Sequence, residues 1–367
     1  MNSRHNRLFF VETDLLSGTA GSETVDVTVQ PNNGDPISVL PVAKGRLLAE
    51  LPVPAKRACV FTGWLSEGQL AAPETVIDRP LSLTAQWALA ETAFEKDPNA
   101  GIRAEGTSLR VFSYNTLLPT VGLKLPVPGR DLGLFHTVMD YKPDVIALQE
   151  FNDTWCDHFR TVFAGTDYRL ISGDRSDING KTVTNTLAYN EAVLTLLEYD
   201  SFPYAVSDST VSRVLTWAVL ETKDVSRRRF IATSTHWALT EAQRLEEAEE
   251  LARWLQNTGA AYQIPIIAMG DYNARDNAPP YLQLMERGAL RDAKYDSAAR
   301  GLAALTHYSL KGNGYTDELA NLHESIDHIF YTEGMQPLYY DTVLNKEILT
   351  TSDHNPIYAD FRFAPVP

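Results

Sequence analysis

Apolar and polar positions alternate in the first part of the chain and then change their period. Val25, Val27 and Val29 alternate with Asp26 and Thr28, the pattern of a half-buried strand. A turn-forming cluster occupies residues 31–36, followed by a run over 45–51, a break at Pro52 and Pro54, and an apolar stretch at Cys59-Val60-Phe61. Residues 81–87 alternate again. Nothing before residue 90 repeats at the helical period, so residues 1–90 predict a small β-rich module. Residues 91–107, around Asp97-Pro98-Asn99-Ala100-Gly101, predict a linker, because Pro, Asn and Gly break regular structure.

From residue 108 to 367 strands and helices alternate, which predicts one larger domain. Strands are expected at 109–114, 144–148, 229–235, 264–269, 326–331 and 357–363, and β-rich, antiparallel segments at 185–202 and 211–220. Helices are expected at 132–141, stopped by Pro143, at 153–164, and at 279–287. Thr240 caps another through Gln256, with Ala242, Leu245, Ala248, Leu251, Ala252 and Leu255 as its buried stripe. Antiparallel strands with interspersed helices predict an α/β (α+β) fold of two packed sheets with helices outside.

Composition narrows the picture without identifying a partner. The 367 residues are 44% hydrophobic and 22% charged, enough for a large core and unlike a disordered chain. Net charge is −15. Arg227-Arg228-Arg229 is the dense basic run, and its place between two strands predicts a solvated turn rather than a polyanion clamp. Cys59 and Cys156 fall in different predicted domains, which excludes a disulfide framework. No stretch approaches the ~20 apolar residues of a membrane span. Residues 1–7 are polar and lack the apolar core of a secretion signal, which leaves a cytoplasmic protein or one whose leader has been removed.

The chemistry lies where polar residues end apolar runs. Ser113-Tyr114-Asn115, Leu148-Gln149-Glu150, Gly270-Asp271-Tyr272-Asn273, Ser325-Ile326-Asp327-His328 and Ser352-Asp353-His354 each sit at such a boundary. Ends of neighbouring strands converge on one edge of a sheet, where Glu150, Asp271 and Asp353 would repel one another and lose solvation. A divalent cation removes that cost, and oxygen ligands select Mg²⁺ or Mn²⁺. Asn115 and Asn273 supply amides; local turn formation is the plain alternative for each. Of eight histidines, His236 follows a strand directly and His354 abuts Asp353, while Asp327 is placed to hold an imidazole protonated. His5, His136, His158 and His323 read as ordinary satisfied or exposed side chains. Alternation turns His328 away from Asp327, which excludes it from the site.

Taken together, Tyr114-Asn115, Leu148-Gln149-Glu150, Thr235-His236, Gly270-Asp271-Tyr272-Asn273, Ile326-Asp327 and Ser352-Asp353-His354 resemble the endonuclease/exonuclease/phosphatase superfamily over about residues 108–363. The resemblance implies a four-layer α/β sandwich and a metal-dependent phosphoesterase. It implies Glu150 as main Mg²⁺ ligand with Asn115 and Asp353 nearby, and Asp271 activating the attacking water. Asn273 and His354 would hold the phosphate with Asp327 behind His354, and His236 would contact the phosphate or assist the leaving oxygen. Asn185 and Arg213 align approximately with positions beside the family's site, giving substrate-binding candidates. His307 is a third, from the long loop 293–321. Phe61-Thr62-Gly63-Trp64 and Thr84-Ala85-Gln86-Trp87 resemble the internalin-type repeat of bacterial surface proteins, which implies a β-grasp-like module and an exported, envelope-associated protein.

Three functional readings follow. The first is hydrolysis of a small or lipid-linked phosphoester by a phosphodiesterase or phosphatase. The second is a Mg²⁺-dependent endo- or exonuclease, disfavoured by acidity and by the lack of a basic, aromatic-interleaved run. The third is a surface protein whose first module binds a glycan or cell-surface partner.

Overall fold

Strands buried on both faces form the centre of the larger unit, and their sequences are correspondingly apolar throughout. The structure, a computed structural model, describes residues 23–32, 37–55, 59–90, 95–119, 127–171, 185–205, 213–301, 306–307 and 325–365. Residues 1–7, 33–36, 308 and 312–314, with His5 and His323, lie outside these. The chain divides into two compact units; the first takes the described residues up to 90 together with 299–301, and the second takes the rest.

The first unit contains β1 (Thr24–Gln30), β2 (Ser38–Ala43), β3 (Arg46–Leu47), β4 (Cys59–Ser66), β5 (Gln69–Leu70), β6 (Val76–Ile77) and β7 (Leu81–Leu89). One sheet runs β2-β1-β7-β4-β5, with β1 and β7 parallel, and β3 pairs with β6. The alternation is realised: Val25, Val27 and Val29 are buried against Leu40, Leu83, Trp64 and Trp87. Phe61 meets Trp64 and Trp87 edge-on at 5.1 and 5.7 Å. The helical element among these described residues is a single 3-10 turn, Leu48–Glu50.

The second unit holds β8 (Leu109–Asn115), α1 (Arg130–Tyr141), β9 (Val145–Gln149), α2 (Asp153–Val162), β10 (Tyr168–Ile171), β11 (Thr186–Asn190), β12 (Leu194–Pro203), β13 (Val214–Thr222) and β14 (Arg229–His236). These are followed by α3 (Glu241–Tyr262), β15 (Ile266–Asp271), α4 (Pro279–Gly288), β16 (Arg291–Asp292) and α5 (Ala293–Asp296). After the two-residue β17 (Ala299–Arg300) of the first unit come β18 (Asp327–Tyr331), β19 (Met335–Thr342), α6 (Lys346–Thr351) and β20 (Ile357–Phe363). One sheet runs β10-β11-β9-β8-β20-β19 and the other β12-β13-β14-β15-β18-β16. Pairs β8/β9 and β14/β15 are parallel; the other neighbours in these two sheets with assigned registers are antiparallel. The sheets pack face to face, and Gln149 Nε2 donates to Ser234 Oγ across them at 3.0 Å. Helices α3 and α4 cover β13, β14, β15 and β18, while α1 sets Tyr141 edge-on against Phe112 of β8. These are the two packed sheets with outer helices expected from the strand and helix pattern, and the four-layer α/β sandwich that the family resemblance implies.

Several elements depart from the sequence reading. Helix α3 runs to Tyr262 rather than Gln256, since Tyr262 packs on Trp217 and Gln263 closes the helix at φ 52°. Its buried face also differs: Ala242 is exposed and Leu245 half-buried, whereas Glu247 is buried. The chain enters α3 over the 237–239 turn, and Glu247 Oε2 accepts from Ala238 N at 2.9 Å. The sequence pattern does not predict strand β19, which contains Pro337 at a register shift where a ladder donor is dispensable. Nor does the pattern predict helix α6, which Asn345 caps by accepting from Glu347 N and Ile348 N. The described part of the predicted linker is tied down. Arg103 forks onto Asp144 at 2.7 and 2.8 Å, and Ala104 N donates to Asp360. Among the described residues no helix is long and apolar enough to cross a membrane.

Candidate active site

Strand pairing brings the polar strand ends together. In register, β15 sets Asp271 beside His236 of β14 on one side and Asp327 of β18 on the other. Asn115 ends β8 beside Gln149 of β9, so Glu150 follows immediately. Across the two sheets, Asn115 Nδ2 donates to Asp271 Oδ2 at 3.0 Å and to Glu150 Oε1 at 3.3 Å.

The backbone around these residues is strained in a consistent way. Leu117, Glu150 and Asn273 all adopt left-handed conformations, with φ of 60°, 54° and 47°. Asn tolerates this region; Leu and Glu do so at a cost of roughly 1–3 kcal/mol each. In return, the Leu118 amide is aimed at Glu150 Oε2, 2.7 Å away, and the Leu117 amide at Asn115 Oδ1, 3.0 Å away. Gly270 is required because a Cβ there would lie 2.2 Å from the Thr235 carbonyl oxygen, at φ 159°.

Hydrogen bonds hold Asp271 and Asp327 in place. Asp271 Oδ1 accepts from Asn273 N at 2.9 Å, and His236 Nε2 lies 3.4 Å from its Oδ2. Asn273 Nδ2 donates to Trp237 O at 2.8 Å. His354 Nδ1 pairs with Asp327 Oδ2 at 2.8 Å, and its Nε2 faces Asp271 Oδ2 at 3.7 Å. Burial opposes charge on His354, but Asp327 and then Asp271 outweigh it and lift the pKa to about 10. Burial raises the Asp353 pKa; His354 opposes the rise and the like charge of Glu150 adds to it.

A cavity of about 210 Å³ gathers Leu118, Glu150, Arg213, His236, Leu239, Asp271, Asn273, His307, Asp353 and His354. Asn115 and Asp327 lie just behind this wall through the contacts above. His307 pairs by a single β-bridge with His354, and its Nε2 is 4.0 Å from Asp353 Oδ2. Arg213 is buried, with Nη1 3.4 Å from His236 O. Asn185, expected at the substrate, is not among the residues that line this cavity. It is 3% exposed and donates to the Val214 carbonyl at 3.0 Å, supporting the strand that begins after Arg213. Leu118 and Leu239 of the wall carry no sequence signal, being ordinary leucines in loops.

Two Asp/His clusters occur among the described residues. Asp271, Asp327 and His354 form one, but the hydrogen bonds above already engage it. The other, Asp276, Asp292 and His328, has Lys294 Nζ at 2.5 Å from Asp276 as a resident cation. His328 points away from Asp327, as alternation requires, and its Nε2 reaches Ala274 O at 2.9 Å. Glu150 and Asp353 lie outside both clusters and share the cavity wall, where the like charge of Glu150 adds to the raised Asp353 pKa.

No curated protein matches the sequence, but solved structures share the fold. A mannosyl-6-phosphatase from Bacteroides thetaiotaomicron VPI-5482 superposes with TM-score 0.59 at 20% identity, over 70% of this chain and 100% of that one. An endonuclease/exonuclease/phosphatase from Bacteroides vulgatus gives 0.59 at 22% identity, over 70% and 99%. ANGEL2, a 2′,3′-cyclic phosphatase in complex with adenosine-2′,3′-vanadate, gives 0.55 at 15% identity, over 71% and 97%. These identities establish a common fold. Residues 112–354 match the Endonuclease/Exonuclease/phosphatase family, and the chain belongs to that family.

Proposed function

We propose that the protein is a divalent-metal-dependent phosphoester hydrolase, a phosphatase or phosphodiesterase, with water as nucleophile and Mg²⁺ or Mn²⁺ as cofactor. One observation carries this reading: carboxylates and hydrogen-bond donors from the ends of separate strands face each other across one 210 Å³ cavity. The donor set suits a hard cation. Glu150 and Asp353 would hold it, with Asn115 beside them, and their mutual repulsion in a half-buried site is the cost a dication removes. When bound, the ion supplies Lewis-acid polarisation of the phosphoryl group and neutralises charge on its oxygens.

The chain's own groups supply the rest. Asp271, fixed by Asn273 N and Asn115 Nδ2, orients the attacking water and takes its proton. His354 is a cation at neutral pH and donates from Nε2 to a phosphate oxygen while Asp327 keeps Nδ1. Asn273 has one amide hydrogen on Trp237 O and the other for the phosphate. His236 contacts the phosphate or protonates the leaving oxygen. Arg213 and His307 add donors for the remainder of the substrate.

A small phosphoester, such as a sugar phosphate, suits the cavity better than a polynucleotide does. The likeness to a mannosyl-6-phosphatase supports this, as does the net charge of −15. A panel of phosphomonoesters and diesters should show turnover that EDTA abolishes and Mg²⁺ or Mn²⁺ restores. Glu150→Gln and Asp271→Asn should each lower kcat by about 100-fold or more while remaining folded. Full activity in both variants, or turnover indifferent to EDTA, overturns the reading. We also assign the first unit to the internalin-type surface repeat, because Phe61, Trp64 and Trp87 of the motif pack together in its core. With that assignment we propose an envelope location and a glycan or cell-surface partner for the first unit.

A further inference from the structure

Arg130 is an unusual choice for its position. It is the first residue of α1, where the helix macrodipole disfavours a cation, and it is only 5% exposed. Burial lowers its pKa, against the pull of Tyr114, Asp353 and Glu150. Its guanidinium forks between two chain segments. Nη1 donates to Thr116 O at 2.9 Å and to Thr351 O at 2.8 Å, and Nη2 donates to Leu117 O at 2.9 Å. The Trp155 ring lies under the fork, 4.9 Å from Cζ, and Trp155 Nε1 also donates to Leu117 O.

These carbonyls belong to the segments that carry the ion-binding candidates. Thr116 and Leu117 directly follow Asn115, and Thr351 lies two residues before Asp353. Leu117 is the left-handed residue whose conformation sends the next amide, Leu118 N, to Glu150 Oε2. Ser352 Oγ closes the set by donating to Asn115 O at 2.6 Å. One planar cation thus fastens the strand end after Asn115 to the loop before Asp353, and through Leu118 it bears on Glu150.

We propose that Arg130 is a positioning residue that holds Asn115, Glu150 and Asp353 in one ion-binding geometry without touching substrate. This rests on the metal-dependent reading above. Lysine at this position keeps the charge but lacks the planar fork that spans both segments; glutamine lacks both.

Mn²⁺ binding, measured by calorimetry on the full-length wild type, Arg130→Lys and Arg130→Gln below their melting temperatures, tests the role. Loss of a group that orients metal ligands typically weakens affinity about 10–100-fold. Arg130→Gln is expected within that range and Arg130→Lys near its lower end. At saturating Mn²⁺, kcat should recover to within a few-fold of wild type, because Arg130 does not touch the reacting atoms. Wild-type Mn²⁺ affinity in both variants overturns the role while leaving the metal reading intact. Failure of the wild type itself to bind Mn²⁺ overturns the metal reading and the role with it. Melting of both variants below assay temperature assigns Arg130 to folding alone and also overturns the role.

Discussion

Replacing Glu247 by Gln tests the electrostatic reasoning most directly, because a carboxyl is buried there on an otherwise apolar helix face. Its relative exposure is 0%. Oε2 accepts from Ala238 N, and Oε1 has no hydrogen-bond partner among the described residues. Burial dominates and raises its pKa from 4.5 to about 8; the Ala238 amide and Arg213 pull downward, and Glu250 adds to the rise. Between those values the folded protein keeps a proton that the unfolded chain has released. The contribution is therefore complete below 4.5 and is lost as pH rises through about 8. At about 1.4 kcal/mol per pH unit, the whole window carries about 5 kcal/mol, of which about 2.7 kcal/mol falls between pH 6 and pH 9. Glu247→Gln retains an oxygen for Ala238 N and cannot ionise. Urea unfolding of both proteins across this range should show the variant gaining about 2–3 kcal/mol on the wild type as pH rises. A difference independent of pH would refute the argument that burial controls this carboxyl. The measurement also bears on the site, since the turn held by Glu247 includes Trp237, whose carbonyl anchors Asn273.

Two further outcomes are expected. Gly270→Ala should cost about 3 kcal/mol or more in chemical denaturation, because its Cβ meets the Thr235 carbonyl oxygen at 2.2 Å; a change below about 0.5 kcal/mol would show that β14 and β15 yield freely there. Removing residues 1–90 should leave kcat on a small phosphoester unchanged and abolish retention on bacterial cell-wall preparations. Equal retention of the truncated protein, or none by the full-length one, counts against the surface-repeat assignment.

The candidate site was legible because polar residues interrupt segments that burial on two faces otherwise keeps apolar. Leu109–Asn115, Val145–Gln149 and Ile266–Asp271 are buried from end to end, so the chemistry stands out at their termini. Thr240 was legible as a cap, accepting from Gln243 N, because capping is local. Arg130 and Glu247 were not. An arginine after glycine and a glutamate within a charged helix look like surface residues, and their burial comes from partners elsewhere in the chain. The side-chain direction of Asn185 was not legible either, because the partner that holds its amide, the Val214 carbonyl, lies 29 residues away in the chain. Pro337 hid a strand because only sheet pairing reveals which ladder donors are dispensable.

Sequence by itself determined the inventory: which residue types stand at strand ends, how the strands and helices alternate, and that carboxylates and amides collect at those ends. Tertiary structure decided which atoms face one another. Asn115 meets Asp271 across 156 residues of chain and Arg130 meets Thr351 across 221. Contacts at that separation follow from sheet register and packing, which local sequence patterns do not encode.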